Sequence, residues 1–398
     1  MAPSSPSPTE ELRILHCFRS PVGGIFRHVR DLIHQQVAQG HKVGVICDSN
    51  TGGEFEENLL AELEPYLELG LFRIPMDRSI SPRDLVVLFK LYGKIRAVNA
   101  DILHSHGAKG GAYARLIGTL LRRSAKRKSD GQSGKAVRRP VRLYCPHGGS
   151  VHYDQTTLSG RVYFGLERIL ERFTDRLVFV SAYERDSYFA KVGEAHCPHS
   201  LVRNGLNEEE FEPIKPNKDA SDLLYIGMMR DLKGVDLFLS ALPQVAQKLD
   251  RPITATLVGD GPDLPGYKAQ AAKLGDQVKT TFHTPMPVRE AFTLGKALVV
   301  PSRAESMPYI VLEALAASRP VLATRVGGIP EIFAENAGAL IEPDDVNALV
   351  NALSGYLGGT VKAPDFEKMH QSVHQNFSAK AMSSSIMSAY QAALEGQN

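Results

Sequence analysis

The 398-residue chain contains no apolar run near the ~18 residues needed to cross a bilayer. Its four cysteines, Cys17, Cys47, Cys145 and Cys197, stand far apart with no C-x-x-C pair. That argues against a disulfide framework and against a thiol-metal knuckle; free thiols in a reducing compartment are expected. No Asp-x-Asp occurs anywhere, and no His, Cys and carboxylate residues fall at zinc-like spacing. A large excess of either charge sign is lacking too. The net charge of +2 gives no bulk attraction to nucleic acid, so a basic contact must come from local clustering. The opening "MAPSSPSPTEEL" lacks both a basic start and an apolar core, so residues 1–10 are expected as a disordered lead rather than a secretion signal. The expected location is the cytoplasm or the inner face of a membrane.

What remains is the composition of an ordinary globular protein, 43% hydrophobic and 23% charged, long enough for two cores. "LRILHCF", "HKVGVICD", "ADILHSHG", "VRLYCPHGG" and "DRLVFVS" are apolar runs of strand length, separated by helical patterns. The pattern restarts at "DLLYIGMM" and continues through "ITATLVGDGPD", "VKTTFH", "KALVVPSRA", "RPVLATRVGG" and "GALIEP". Strand and helix in alternation predict an α/β protein with two tandem Rossmann-like, doubly wound parallel-sheet domains. The expected boundaries are 11–205 for the first domain, 206–221 for a polar linker, 222–375 for the second domain and 376–398 for a final helix. Residues 121–139 hold eight basic residues against Asp130. They are expected as a loop that is either simply solvated or touches an anionic lipid or acceptor through Arg122, Arg123, Lys126, Arg127 and Lys128.

"PSRAESMPYIVLEALAASRPVLAT" carries the chemistry. Ser306 is expected to cap a helix with Pro308 in its first turn. Glu305 and Glu313 are eight residues apart, roughly 12 Å along a helix axis. Carboxylates that flank one glycosidic bond lie only about 5–9.5 Å apart. Two acids on one axis suit the two ends of an extended ligand, and the helix N-terminus between them suits a diphosphate. That combination describes a nucleotide sugar. Histidines stand at strand ends, where such folds bind ligands: His147 in "HGG", and His104 and His106 in "LHSHG". The latter two are expected either to touch an acceptor or to be structural. Asp260 is expected as a turn former.

This block resembles the retaining glycosyltransferases of family 4, whose fold is two Rossmann-like domains facing across a cleft. Gly23–Gly24, "HGG", "VSAYERD", "VRNGLNEEEF", "YIGMMRDLKGVDLFL" and "LVGDGP" match in order from about Leu12 to Leu394. The resemblance implies that Glu305 holds the donor sugar and Glu313 the ribose. Met307 to Tyr309 would offer backbone N–H groups, and Lys233 would neutralise the diphosphate. Gly24 would allow close approach, and His147 would touch the sugar near the reacting carbon. It also implies a final helix that packs back on the first domain. Many members of that family carry arginine directly after the glycine of "G-R-L-x-x-x-K-G"; here Met228 stands there and Arg230 two places on. Arg230 then reaches the diphosphate by another path or points away. The implied activity is metal-independent, retaining transfer of a hexose-type sugar from a UDP- or GDP-sugar to a glycan or lipid-linked acceptor, with no cofactor and no nucleic acid partner. An epimerase or phosphorylase on the same fold, or a silent nucleotide-sugar scaffold, are the alternatives.

Overall fold

The computed structural model describes residues 11–128 (backbone alone for 125–128), 139–149, 153–360 and 364–396. The chain divides into two units. The first holds residues 1–179, 187–202 and 383–398; the second holds 180–186 and 203–382.

The first unit is built on seven strands: β1 (Arg13–Phe18), β2 (Lys42–Cys47), β3 (Gly70–Arg73), β4 (Ile102–His106), β5 (Val141–Cys145), β6 (Arg176–Phe179) and β7 (His199–Leu201). All pair in parallel, in the order β3-β2-β1-β4-β5-β6-β7. The central strands are buried on both faces, as their unbroken apolar runs require. The helix Gly23–Ala38 turns Phe26, Val29, Leu32 and Ile33 inward, spaced to share one face. β3 and β7 were not expected; both are short edge strands without fully buried side chains, which removes the apolar signal.

The second unit has five strands: β8 (Ser221–Ile226), β9 (Ile253–Val258), β10 (Val278–His283), β11 (Gly295–Val300) and β12 (Val321–Ala323), in the order β10-β9-β8-β11-β12. Strand order reverses beside β8, so the segments leaving β8 and β11 diverge. The crevice between two such ends is where doubly wound folds take ligands. In the first unit the equivalent point lies between β1 and β4.

Three expectations change. Residues 206–221 are stitched along the second unit rather than strung as a linker. Ile214 N–H donates to the Ala317 carbonyl (3.0 Å) and Asn217 N–H to that of Thr293 (2.8 Å). Arg289 donates to the carbonyls of Glu210 and Glu212. "GALIEP" is not a strand; only a single bridge joins Ile341 to Thr324. The basic stretch is not a loop from residue 121, because the helix Gly107–Lys128 runs through its first half.

Candidate active site

The second unit gathers most of the expected site. The chain leaves β8 through residues 227–230 and makes a single 3-10 turn, Asp231–Lys233, before Gly234 and the helix Val235–Leu249. Gly234 has φ +65°, and a Cβ there would strike the Pro301 carbonyl. Only glycine lets the turn after β8 lie this close to the segment after β11. Arg303 clamps the two together. Its N–H donates to the Leu232 carbonyl (2.9 Å), and its guanidinium meets the Asp231 carbonyl, the Asp236 carboxylate and Asp344 Oδ1. The carboxylates raise the Arg303 pKa further, so this cation is permanent.

The clamp brings Lys233 Nζ to 2.6 Å from Glu305 Oε1, which also accepts from Ser302 Oγ at 2.8 Å. The Glu305 side chain is 9% exposed. Behind it, Gly328 N–H donates to the Ser306 carbonyl (2.6 Å), and a Cβ on Gly327 (φ +60°) would strike the Glu305 carbonyl. Asn204 Nδ2 donates to the Met307 carbonyl (2.8 Å). Among the described residues no backbone carbonyl accepts from the N–H groups of Ser306 and Met307. Consecutive free N–H groups form an anion-binding concavity.

The expected cap is corrected. The helix is Tyr309–Ala316 and its N-cap is Pro308, with extended backbone. Ser306 lies two residues outside; its Oγ is shielded from solvent and has no partner among the described residues. Glu313 is in the second turn, 9% exposed among apolar neighbours. Tyr309 is buried, with its hydroxyl 3.8 Å from Met382 Sδ. Arg230 is half-buried at the start of the 3-10 turn, and no carboxylate of the described residues pairs with it. Met228 is 37% exposed.

The first unit places Gly23 (φ +65°) and Gly24, both exposed, at the start of the helix that follows β1. His147 follows β5 with φ +52° and is half-buried. It stands beside a cluster that the sequence reading missed: His16 on β1, His28 on the first helix, and His104 and His106 on β4 are all buried. His106 Nδ1 is 3.0 Å from His147 Nε2. Metal-ligand spacing along the sequence gave no sign of this grouping, because pairing β1 beside β4 brings distant residues together. His16, His104 and His106 each offer a nitrogen within 4.8 Å of the others, as do His28, His106 and His147. The His16–His106 separation of 3.0 Å is shorter than the about 3.3 Å between two ligands on tetrahedral zinc, and matches a hydrogen bond. His106 is enclosed by these neighbours, in keeping with the structural one of its two expected roles.

The membrane or acceptor candidates divide. Arg122 is engaged by Asp175 through both terminal nitrogens (2.9 Å each) and donates to the Pro140 carbonyl. It braces β5 instead of facing a partner. Arg123 lines an apolar cavity of about 550 Å³ with Phe89, Tyr92 and Leu120. The side chains of Lys126, Arg127 and Lys128 lie outside the described residues, as do residues 129–138. Among the described residues no helix is long and apolar enough to cross a membrane.

Comparison with known proteins matches both halves. The profile described as Glycosyltransferase Family 4 covers residues 22–210, and that described as Glycosyl transferases group 1 covers 220–358. Glycogen synthase of Mycobacterium tuberculosis is 24% identical over 409 residues, covering 94% of this chain and 92% of its own. A D-inositol 3-phosphate glycosyltransferase of Catenulispora acidiphila is 32% identical over 192 residues, 43% of this chain and 46% of its own. The crystal structure of HepE from Anabaena in complex with UDP has a TM-score of 0.71 at 16% identity, over 96% of this chain and 100% of its own. Sucrose-phosphate synthase from Thermosynechococcus elongatus reaches 0.72 at 19% identity, over 97% and 100%. The fold is therefore the glycosyltransferase-B fold. With both profiles matched in order along one chain, this protein belongs to glycosyltransferase family 4 and is a glycosyltransferase.

Proposed function

We propose that the protein moves a hexose-type sugar from a UDP- or GDP-sugar to a glycan or lipid-linked acceptor, with retention at the anomeric carbon and without a metal. The observation that carries this reading is the Lys233–Glu305 pair beside the Ser306 and Met307 N–H groups, to which no backbone carbonyl of the described residues is bonded. A cation, a helix start and backbone donors supply the charge that a divalent ion supplies elsewhere. Glu305 holds hydroxyls of the sugar, Glu313 holds the ribose, and Lys233 meets the diphosphate as it leaves. Arg230, without an acidic partner among the described residues, adds a second cation. In the first unit, Gly23 and Gly24 admit the diphosphate and His147 the sugar. UDP in HepE supports a nucleoside diphosphate as the ligand class.

The test is calorimetric titration with UDP and GDP, first without metal and then with magnesium. Metal-free binding of one of them, lost in Glu313→Ala, is the expected result. Binding only with magnesium overturns the metal-free reading. Retention is read from the anomeric proton coupling of the product. Contact with an anionic membrane through residues 121–128 and the neighbouring apolar cavity is tested with phosphatidylserine vesicles. Equal partitioning of the parent and an Arg123→Ala, Phe89→Ser variant sinks it.

A further inference from the structure

The first unit contains an unbroken line of hydrogen bonds that ends at His147. Tyr390, on the last helix, Ala379–Glu395, accepts from Gln36 Nε2 (3.2 Å). Gln36 Oε1 lies 2.9 Å from His16 Nε2. His16 Nδ1 lies 3.0 Å from His106 Nε2, and His106 Nδ1 lies 3.0 Å from His147 Nε2. Tyr390 OH also lies 2.8 Å from His104 Nδ1. Of the three line histidines, His16 and His106 are at most 1% exposed, while His147 is half-buried. The line runs from the core to the one ring a ligand can reach.

Burial keeps these rings neutral. It lowers His16 to about 4 and puts His106 and His147 well below the usual imidazole range, with neighbouring rings adding to the effect. A neutral imidazole has one N–H and one lone pair, so each bond dictates the next. An amide oxygen only accepts, hence His16 carries its proton on Nε2 and leaves Nδ1 bare. His106 must then donate from Nε2 and accept at Nδ1. His147 must donate from Nε2.

We infer that Gln36, whose Nε2–H donates to Tyr390, is a positioning residue: through His16 and His106 it locks His147 as the Nε2–H tautomer, with the Nδ1 lone pair left to accept a hydrogen bond from a ligand hydroxyl. Among the described residues nothing donates to that nitrogen. Turning the Gln36 amide over would reverse every bond in the line and make His147 Nδ1 a donor. The amide orientation therefore sets the polarity of His147, a group far along the chain that Gln36 reaches only through His16 and His106. The assignment of the hydroxyl to a sugar rests on the proposed function. The tautomer does not.

The experiment is long-range ¹H–¹⁵N spectroscopy of the ¹⁵N-histidine-labelled full chain at neutral pH, with His147 assigned by its loss in His147→Ala. The expected spectrum shows His147 protonated at Nε2 alone. Gln36→Glu retains an acceptor and should keep that form. Gln36→Leu should release it to a mixture, as should Tyr390→Phe, which keeps the ring and guards against a Gln36 variant that fails to fold. An Nδ1–H signal in the parent overturns the inference. So does an unchanged single tautomer in a folded Gln36→Leu or Tyr390→Phe variant, or one equivalent of zinc in the purified protein with the imidazole nitrogens shifted as metal ligands. Failure of the nucleotide titration would refute the functional reading and leave this spectrum untouched.

Discussion

Lys233 Nζ and Glu305 Oε1 meet at 2.6 Å, joining the turn that follows β8 to the segment that follows β11. The lysine is 29% exposed and the glutamate 9%, so the pair is partly screened and its value lies in placing charge beside the crevice. Lys233→Ala is expected to lower kcat/KM by about 100-fold or more, the range for removing one transition-state electrostatic contact. Lys233→Arg should not restore it, because a planar fork does not replace a point charge at this distance. The check is steady-state kinetics beside a melting curve. A normal kcat/KM in Lys233→Ala would remove Lys233 from the reaction.

Glu313 tests the other end of the ligand. It is buried in a helix whose neighbouring side chains are almost all apolar. Glu313→Gln keeps the shape and removes the charge. Nucleotide affinity should fall by about tenfold or more, roughly the value of a charged hydrogen bond. Calorimetry and thermal unfolding together check this; a lower melting temperature with unchanged affinity would make Glu313 structural.

Gly327 sets the backbone under Glu305. Its φ of +60° and the contact that a Cβ would make with the Glu305 carbonyl leave no room for a side chain. Gly327→Ala should cost about 1–3 kcal/mol through strain and should raise the KM for donor by displacing Glu305. A variant of parental stability and KM would show that this loop yields freely. Denaturant titration and donor kinetics are the measurements.

The first unit should be acid-labile. His16 has a folded pKa of about 4 against 6.5 when unperturbed, so the unfolded chain binds the proton first as pH falls. Stability from this depressed pKa is complete above the unfolded value and is lost as pH drops through 6.5 toward 4. At about pH 5 the loss from His16 alone is about 2 kcal/mol, and His104, His106 and His147 shift in the same direction. Denaturation midpoints from neutral pH down to about pH 5 measure this. His16→Gln should flatten the slope, and an unchanged slope would place the titrating groups elsewhere.

The alternation of strands and helices was legible because central parallel strands are buried on both faces and leave plain apolar runs, as in "LRILHCF" and "KALVV". The meeting of Lys233 with Glu305 was foreseeable, because the family pattern sets both beside one diphosphate-sugar. Arg303 was not: in sequence it is one more basic residue, and its role depends on Asp236 and Asp344 arriving from other segments. The histidine line was hidden for the same reason, although two signals were present. His104 and His106 are two apart on a buried strand and so share its face, and His16 sits level with His104 across β1 and β4. Ser306 misled because the serine-before-proline pattern suits a cap, whereas Pro308 itself took that place.

Tyr390 belongs with the first unit by its bonds, yet the ribosome adds it after the whole second unit has been made. The early sheet can pair its strands and close its apolar faces while synthesis continues. The direction of its imidazole protons must wait. An N-terminal half expressed alone would therefore be a folded sheet with an undecided His147, and adding back a peptide that spans the last helix should decide it.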